Sequence, residues 1–242
     1  MKIHHPAPLL MLSLLAALAA VPEEALAATV PAPAVNISTA QQANVGYAVA
    51  SDDLLQTHLA TSSFAGDFQK EGANGTVAFN NGIYGRQGNQ GNGGESATAD
   101  GSHTATFTFD TVGGQGYNLS AINTYAGWDG NRGGQAYVVS YATAAAPTTF
   151  IELATVFFNA TTRGGNTNSR VGLTGSGGWL ATNVQTVRFQ FSNGLDYGYA
   201  GYRELDVFGV AAAAPVPEPS QVAMLLAGMG LLAARARRKR VA

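Results

Sequence analysis

Residues 104–109 read T-A-T-F-T-F, and a period of two sustained over six residues admits a half-buried β-strand and little else. The alternation sets Ala105, Phe107 and Phe109 on one face and Thr104, Thr106 and Thr108 on the other. A helix would need its apolar residues three and four apart. Further strands are predicted at 119–125, 136–142, 149–158, 184–192 and 202–210. Turn-rich segments separate them: GGQG at 113–116, WDGNRGG at 128–134, TRGGNTNSR at 162–170 and SNGLDYG at 192–198. Short strands at this spacing, with no helices between them, predict an all-β fold, an antiparallel jelly-roll β-sandwich. Ahead of them, SDDLLQTHL at 51–59 reads as one or two helical turns, with Ser51 as N-cap and Asp52 and Asp53 in the first turn. We place the sandwich at 64–210 and an extended, briefly helical lead-in at 28–63.

The two ends have a different character. Lys2, His4 and His5 form a short polar start, and 9–20 is an apolar run too short to span a bilayer at the usual ~20 residues. Ala25 and Ala27 make a small-x-small site, so 1–27 reads as a signal peptide cleaved after Ala27. At the far end, AAAAPVPEP at 211–219 is a proline-stiffened linker. An apolar segment at 220–234 follows, then a basic cluster of Arg235, Arg237, Arg238, Lys239 and Arg240. Fifteen helical residues rise ~22 Å, against a hydrocarbon core of ~30 Å. Such a segment is a short transmembrane helix at best, with its basic end cytoplasmic and the domain outside.

VPEPS, a short apolar helix and RARRKR, in that order, resemble the PEP-CTERM sorting tail. The resemblance implies processing by an exosortase near Pro217, Glu218 and Pro219. It also implies transient anchoring in the inner membrane, then transfer to the cell surface, the outer membrane or the extracellular space.

Composition bounds the chemistry. The chain has 242 residues, 12% of them charged, with 30 Gly and no Cys. A core of this size is buried without disulfides, and thiolate catalysis and Cys-ligated zinc are excluded. Without the leader and the basic tail, seven Lys and Arg face thirteen Asp and Glu, a net charge near −6. A domain of that sign has no basis for binding nucleic acid, which rests on neutralising phosphates. His58 and His103 are the histidines left after the leader, and no G-x-S-x-G, H-E-x-x-H or P-loop occurs. The chain therefore reads as non-catalytic, and His58 as a surface or capping residue.

The domain is similar to the discoidin-type, galactose-binding-like jelly roll. The likeness rests on FTFDT, YNLSAINTYAGWDGNRGGQAYVVSYAT, FIELATV and VQTVRFQFSN…YAGYRELDVFG, and covers roughly 64–210. In calcium-binding members the residue matching Glu204 is a ligand, together with an Asp-rich turn. Here the matching turn is Asn80-Asn81-Gly82, so the resemblance implies a possible structural calcium on Glu204 and oxygens near Asn80. The alternative is that Glu204 pairs with Arg188 or Arg203 on the sheet.

Sugars are held by an aromatic platform beside planar polar side chains. Trp128, Asp129, Asn131 and Arg132 form one such cluster, Asp196, Tyr197 and Tyr199 a second, and Trp179 lies in a third Gly-rich loop. Trp128 and Arg132 have a structural alternative: a plug in the sandwich and a partner for a buried carboxylate. The threonine row at 104–108 is read as a solvated sheet face. The expectation is an exported, surface-sorted module that binds exopolysaccharide or another surface glycan. The alternatives are a structural matrix or biofilm protein without a ligand pocket, and a polysaccharide-active enzyme.

Overall fold

Strand β4 (Thr104–Phe109) keeps the predicted alternation, with Ala105, Phe107 and Phe109 buried. It belongs to a computed structural model that describes residues 34–43, 46–85, 96–128, 132–160, 167–192, 198–214 and 219–238. The other strands are β1 (Val35–Ala43), β2 (Leu59–Ala65), β3 (Ala97–Ala99), β5 (Tyr117–Gly127), β6 (Gln135–Thr143), β7 (Ala146–Phe158), β8 (Thr167–Gly175), β9 (Ala181–Phe191) and β10 (Ala200–Ala211). Helix α1 (Leu54–Thr57) precedes β2, two 3-10 turns (Lys70–Gly72, Gly75–Phe79) follow it, and α2 (Pro219–Arg238) follows β10.

Every ladder between these strands is antiparallel. One layer runs β7-β6-β9-β4-β2 and the other β1-β8-β5-β10-β3. They join at one corner, where β5 meets β9 through Tyr117↔Val184 and Leu119↔Ala181. This is the jelly-roll sandwich expected from the strand pattern.

The corner is pinned by side chains. Asn183 sits at φ 54. Its Oδ1 accepts from the Gly116 N–H at 2.7 Å, and its own N–H donates to Asn118 Oδ1 at 3.1 Å. Gly116 passes so close that a Cβ there would lie 2.2 Å from the Val184 carbonyl oxygen. Asn tolerates the left-handed region better than Ala, which pays roughly 1–2 kcal/mol there, and the lost hydrogen bond is worth about 1 kcal/mol. Asn183→Ala should lower stability by about 2 kcal/mol in urea unfolding. An unchanged midpoint would show that the corner is held elsewhere.

The core is aromatic. Phe79, fully buried, enters it from the second 3-10 turn and stacks on Phe191 at 5.8 Å. Its edge meets Phe68 at 5.2 Å and Phe107 at 6.3 Å. Tyr202 packs on Phe191 at 4.7 Å from the other layer. Each ring is worth about 1.5–3 kcal/mol by burial, so this cluster ties both layers to the turn.

Four expectations are corrected. The sandwich begins at β1, not at residue 64, because β1 pairs with β8 from Val35↔Gly175 to Ala43↔Thr167. β2 likewise pairs with β4. Both are largely exposed edge strands held by ladder hydrogen bonds, so they lack a clear apolar face. The segment read as a loop at 162–170 contains the start of β8, whose Thr167, Asn168 and Ser169 are buried polar residues. The N-cap of α1 is Asp53, whose Oδ1 accepts from the Leu55 N–H at 2.7 Å, not Ser51.

Helix α2 spans 20 residues and starts at Pro219, whose missing N–H costs nothing in a first turn. It includes the predicted apolar segment and runs on through Arg235, Arg237 and Arg238. Among the described residues, no helix is long and apolar enough to cross a membrane. Ala25, Ala27, Pro217, Glu218, Lys239 and Arg240 lie outside the described residues.

Candidate functional site

One end of the sandwich gathers the residues after β5, before β6, before β4 and before β10. Trp128 leaves β5 and is 3% exposed. It lies against β10, where a Cβ on Gly201 would come within 3.0 Å of its ring. Arg132, 6% exposed and at φ 60, holds its guanidinium 4.9 Å from the Trp128 ring and 5.7 Å from the Tyr199 ring. Arg132 also accepts the Gly201 N–H on its carbonyl at 3.1 Å. Tyr199 is half-buried. Lys70, from the first 3-10 turn, places Nζ 4.7 Å from the same ring and 3.2 Å from Asp100 Oδ2. Two cations therefore face one partly exposed tyrosine, an arrangement favoured by the ring quadrupole.

Asp100 is the anchor of this cluster. Its Oδ1 accepts from the Ser102 N–H at 2.8 Å and from Ser102 Oγ at 2.7 Å, and lies 2.6 Å from His103 Nδ1. Burial alone would raise its pKa, but these bonds and Lys70 outweigh it and hold the carboxyl well below the usual range. Lys70 is raised, by its bond to Asp100 first and to Tyr199 second. The buried His103 spans the turn, with Nε2 2.8 Å from the Asp67 carbonyl oxygen. Beside it an open cavity of about 190 Å³ is lined by Phe64, Asp67, Phe68, Gln69 and Thr76.

A buried polar network steadies the loop before β6. Thr124 Oγ1 donates to Gln135 Oε1 at 2.5 Å, Gln135 Nε2 donates to Ser169 Oγ at 2.9 Å, and Ser169 Oγ donates to the Gly133 carbonyl. Such satisfied networks make a local structure unique.

Of the sugar candidates, Trp128, Arg132 and Tyr199 come together. Trp128 and Arg132 are buried, and of the three aromatic and planar groups Tyr199 alone keeps exposed surface. Trp179 lies between β8 and β9, at the opposite end, and does not join them. Asp129, Asn131, Asp196 and Tyr197 lie outside the described residues. Lys70 and Asp100 were not anticipated. They are far from Tyr199 in sequence, and the one available signal was that Lys70 is the sole lysine between leader and tail. His58 has the surface and capping role expected of it, with its N–H bonded to the Leu54 carbonyl and Nδ1 3.4 Å from Asp110.

A second cluster lies on the outer face of β10, under 46–58 and the 80–83 turn. A bulge at Arg203 re-aims the strand. Asp53, Glu204 and Asp206 are all buried. Gln56 Nε2 donates to Glu204 Oε1 at 3.0 Å, and Tyr125 OH donates to Asp206 Oδ2 at 3.0 Å. Burial, then the neighbouring Asp206, pushes Glu204 up to about 9, and burial pushes Asp53 up to about 7. Asp53 Oδ2, Glu204 Oε2 and Asp206 Oδ1 have no hydrogen-bond partner of good geometry, although the Gly82 and Ile83 N–H groups lie close enough to the Glu204 carboxyl to work against the effect of burial. Orphaned carboxylate oxygens of this kind suit a hard cation. Among the described residues, no three acidic or histidine side chains converge as a metal site, so a cation here would also need amide or backbone oxygens. Asn80 borders the cluster through Nδ2, which donates to the Leu55 carbonyl at 3.4 Å. Arg188 belongs to the other layer and stacks on Phe150 at 3.7 Å. Arg203 holds its guanidinium 5.6 Å from the Tyr84 ring.

Residues 215–240 match the PEP-CTERM protein-sorting motif. The chain thus carries the tail of an exported, surface-sorted protein that an exosortase processes. No curated relative matches the chain. Among solved structures it is similar to the CBM32 of AlyQ in complex with 4,5-unsaturated mannuronic acid, at 12% identity and TM-score 0.36, covering 62% of this chain and 95% of that one. It is also similar to CBM32-1 of a family 31 glycoside hydrolase from Clostridium perfringens, at 8% identity and TM-score 0.37, covering 64% and 99%. A third is the family 32 CBM from C. perfringens NanJ in complex with galactose, at 9% identity and TM-score 0.32, covering 71% and 92%.

Proposed function

We propose that the chain is a surface-displayed, non-catalytic module that binds extracellular polysaccharide at the Tyr199 end of the sandwich. The observation that carries this reading is the half-exposed Tyr199 ring, fixed between Lys70 and Arg132, with the Lys70–Asp100 pair beside it. A pyranose ring presents C–H groups to an aromatic face and hydroxyls to its edge. Lys70 donates to such hydroxyls and Asp100 accepts from them.

Tyr199→Ala and Lys70→Ala should each weaken retention at least about tenfold, the loss of one good contact from a small site. The measurement is mobility in gels cast with extracellular polysaccharide purified from the producing cells, with thermal midpoints recorded alongside. Both residues are partly exposed, so the midpoints should hold. Full retention by both variants, or no retention by the wild type, would sink the reading.

A second proposal concerns calcium. Glu204 would hold it through Oε2, completed by Asp206 or Asp53 and by oxygens near Asn80; the support is that Oε2 is buried without a hydrogen-bond partner of good geometry. The bound ion would compensate charge that is otherwise buried.

A further inference from the structure

The chain leaves the sandwich at the end opposite Tyr199. β10 starts at Ala200 beside the site and finishes at Ala211, opposite Tyr117, with the Ala212 N–H on the Gly116 carbonyl. Twelve strand residues at ~3.3 Å each separate the two ends by about 40 Å. From Ala211 the linker 212–218 reaches at most ~25 Å before Pro219 opens α2.

That exit end has an unusual surface. Val112 in the β4–β5 turn, Trp179 in the β8–β9 turn and Val210 at the end of β10 are 50%, 46% and 55% exposed. The residues around them, 110–116, 144–145, 176–180 and 212–214, contain a single formal charge, Asp110. The Trp179 turn itself, 175–181, offers one polar side chain, Ser176. A half-exposed tryptophan on an end that also exposes two valines and carries little charge matches the headgroup region of a bilayer, where an amphipathic ring is most stable. The apolar α2 is tied to this end by the short linker.

We infer that the Val112–Trp179–Val210 end is a lipid-facing surface, which rests on the bilayer while the tail is uncut. It turns the Tyr199 end outward, about 40 Å from the lipid. The inference stands independently of what Tyr199 binds.

The chain contains two tryptophans, Trp128 and Trp179, and Trp128 is buried at the far end. The full chain is reconstituted into phosphatidylcholine–phosphatidylglycerol vesicles whose acyl chains carry bromine, a short-range quencher. Wild-type tryptophan emission should be quenched and shifted to the blue relative to unbrominated vesicles. Trp179→Ala should abolish the quenching while flotation with the vesicles and the far-ultraviolet dichroism stay unchanged. No quenching of the wild type, or equal quenching of Trp179→Ala, would overturn the inference. If Trp179→Ala fails to fold, Val112→Asp with Val210→Asp provides the second variant, and it should reduce the quenching of Trp179.

Discussion

Cells that carry Glu218→Ala should accumulate the full-length precursor in the inner membrane, with processed protein at the surface reduced to near zero. Glu218 lies in a stretch where Pro215, Pro217 and Pro219 fix φ and remove N–H donors. Closely spaced prolines of this kind disfavour sheet ladders and helix interiors, and so favour a segment open to a processing enzyme. Glu218 is the one charge between Asp206 and Arg235. It is therefore the one group there by which an enzyme can recognise the segment electrostatically. Its removal leaves the sandwich untouched, since the last strand ends at Ala211. Immunoblots of fractionated cells against the domain give the result. Processing at the wild-type rate would show that Glu218 is not read. A Glu218→Asp variant separates charge from reach: partial rescue assigns recognition to the carboxylate.

The tail and the strand interiors were legible because each is a local pattern. The alternation at 104–109 records which face of β4 meets the core. The order of linker, apolar run and basic cluster is likewise contained in one contiguous stretch. What escaped was set by distance in sequence. β1 and β2 are edge strands, and their ladders, not their burial, make them strands. The polar start of β8 is buried because Gln135 reaches Ser169 across 34 residues. Lys70 and Asp100 meet Tyr199 through a turn and two loops that no local period announces. Trp179 carried the right residue type for a sugar platform, yet the topology sends its turn to the other end. Residue type is readable locally; company is decided by the fold.

The acid cluster on β10 predicts an inverted pH response. A carboxyl whose folded pKa lies above its unfolded value favours folding most when protonated, and that contribution is lost as pH rises. Asp53 rises from 3.8 to about 7 and Glu204 from 4.5 to about 9. Asp206 is raised as well, by burial, against bonds from the Ala50 N–H and Tyr125 OH. Stability in a chelator should therefore be greatest near pH 4, fall from there to about pH 7 through Asp53 and Glu204 together, and fall further to about pH 9 through Glu204. The total loss is on the order of several kcal/mol, since a tenfold difference in proton affinity between folded and unfolded chain is worth about 1.4 kcal/mol and the groups share their repulsion. Glu204→Gln cannot ionise, so it should flatten the upper part of the curve and exceed the wild type in stability at pH 9. Millimolar calcium tests the second proposal in the same titration. A bound cation favours the ionised acids, so it should raise the midpoint most at pH 8–9, where the chelated protein is weakest, and have little effect on Glu204→Gln. A midpoint that does not respond to calcium at any pH would retire the metal and leave the acids as a buried proton-sharing cluster. A midpoint in chelator that is level from pH 5 to 9 would overturn the cluster itself.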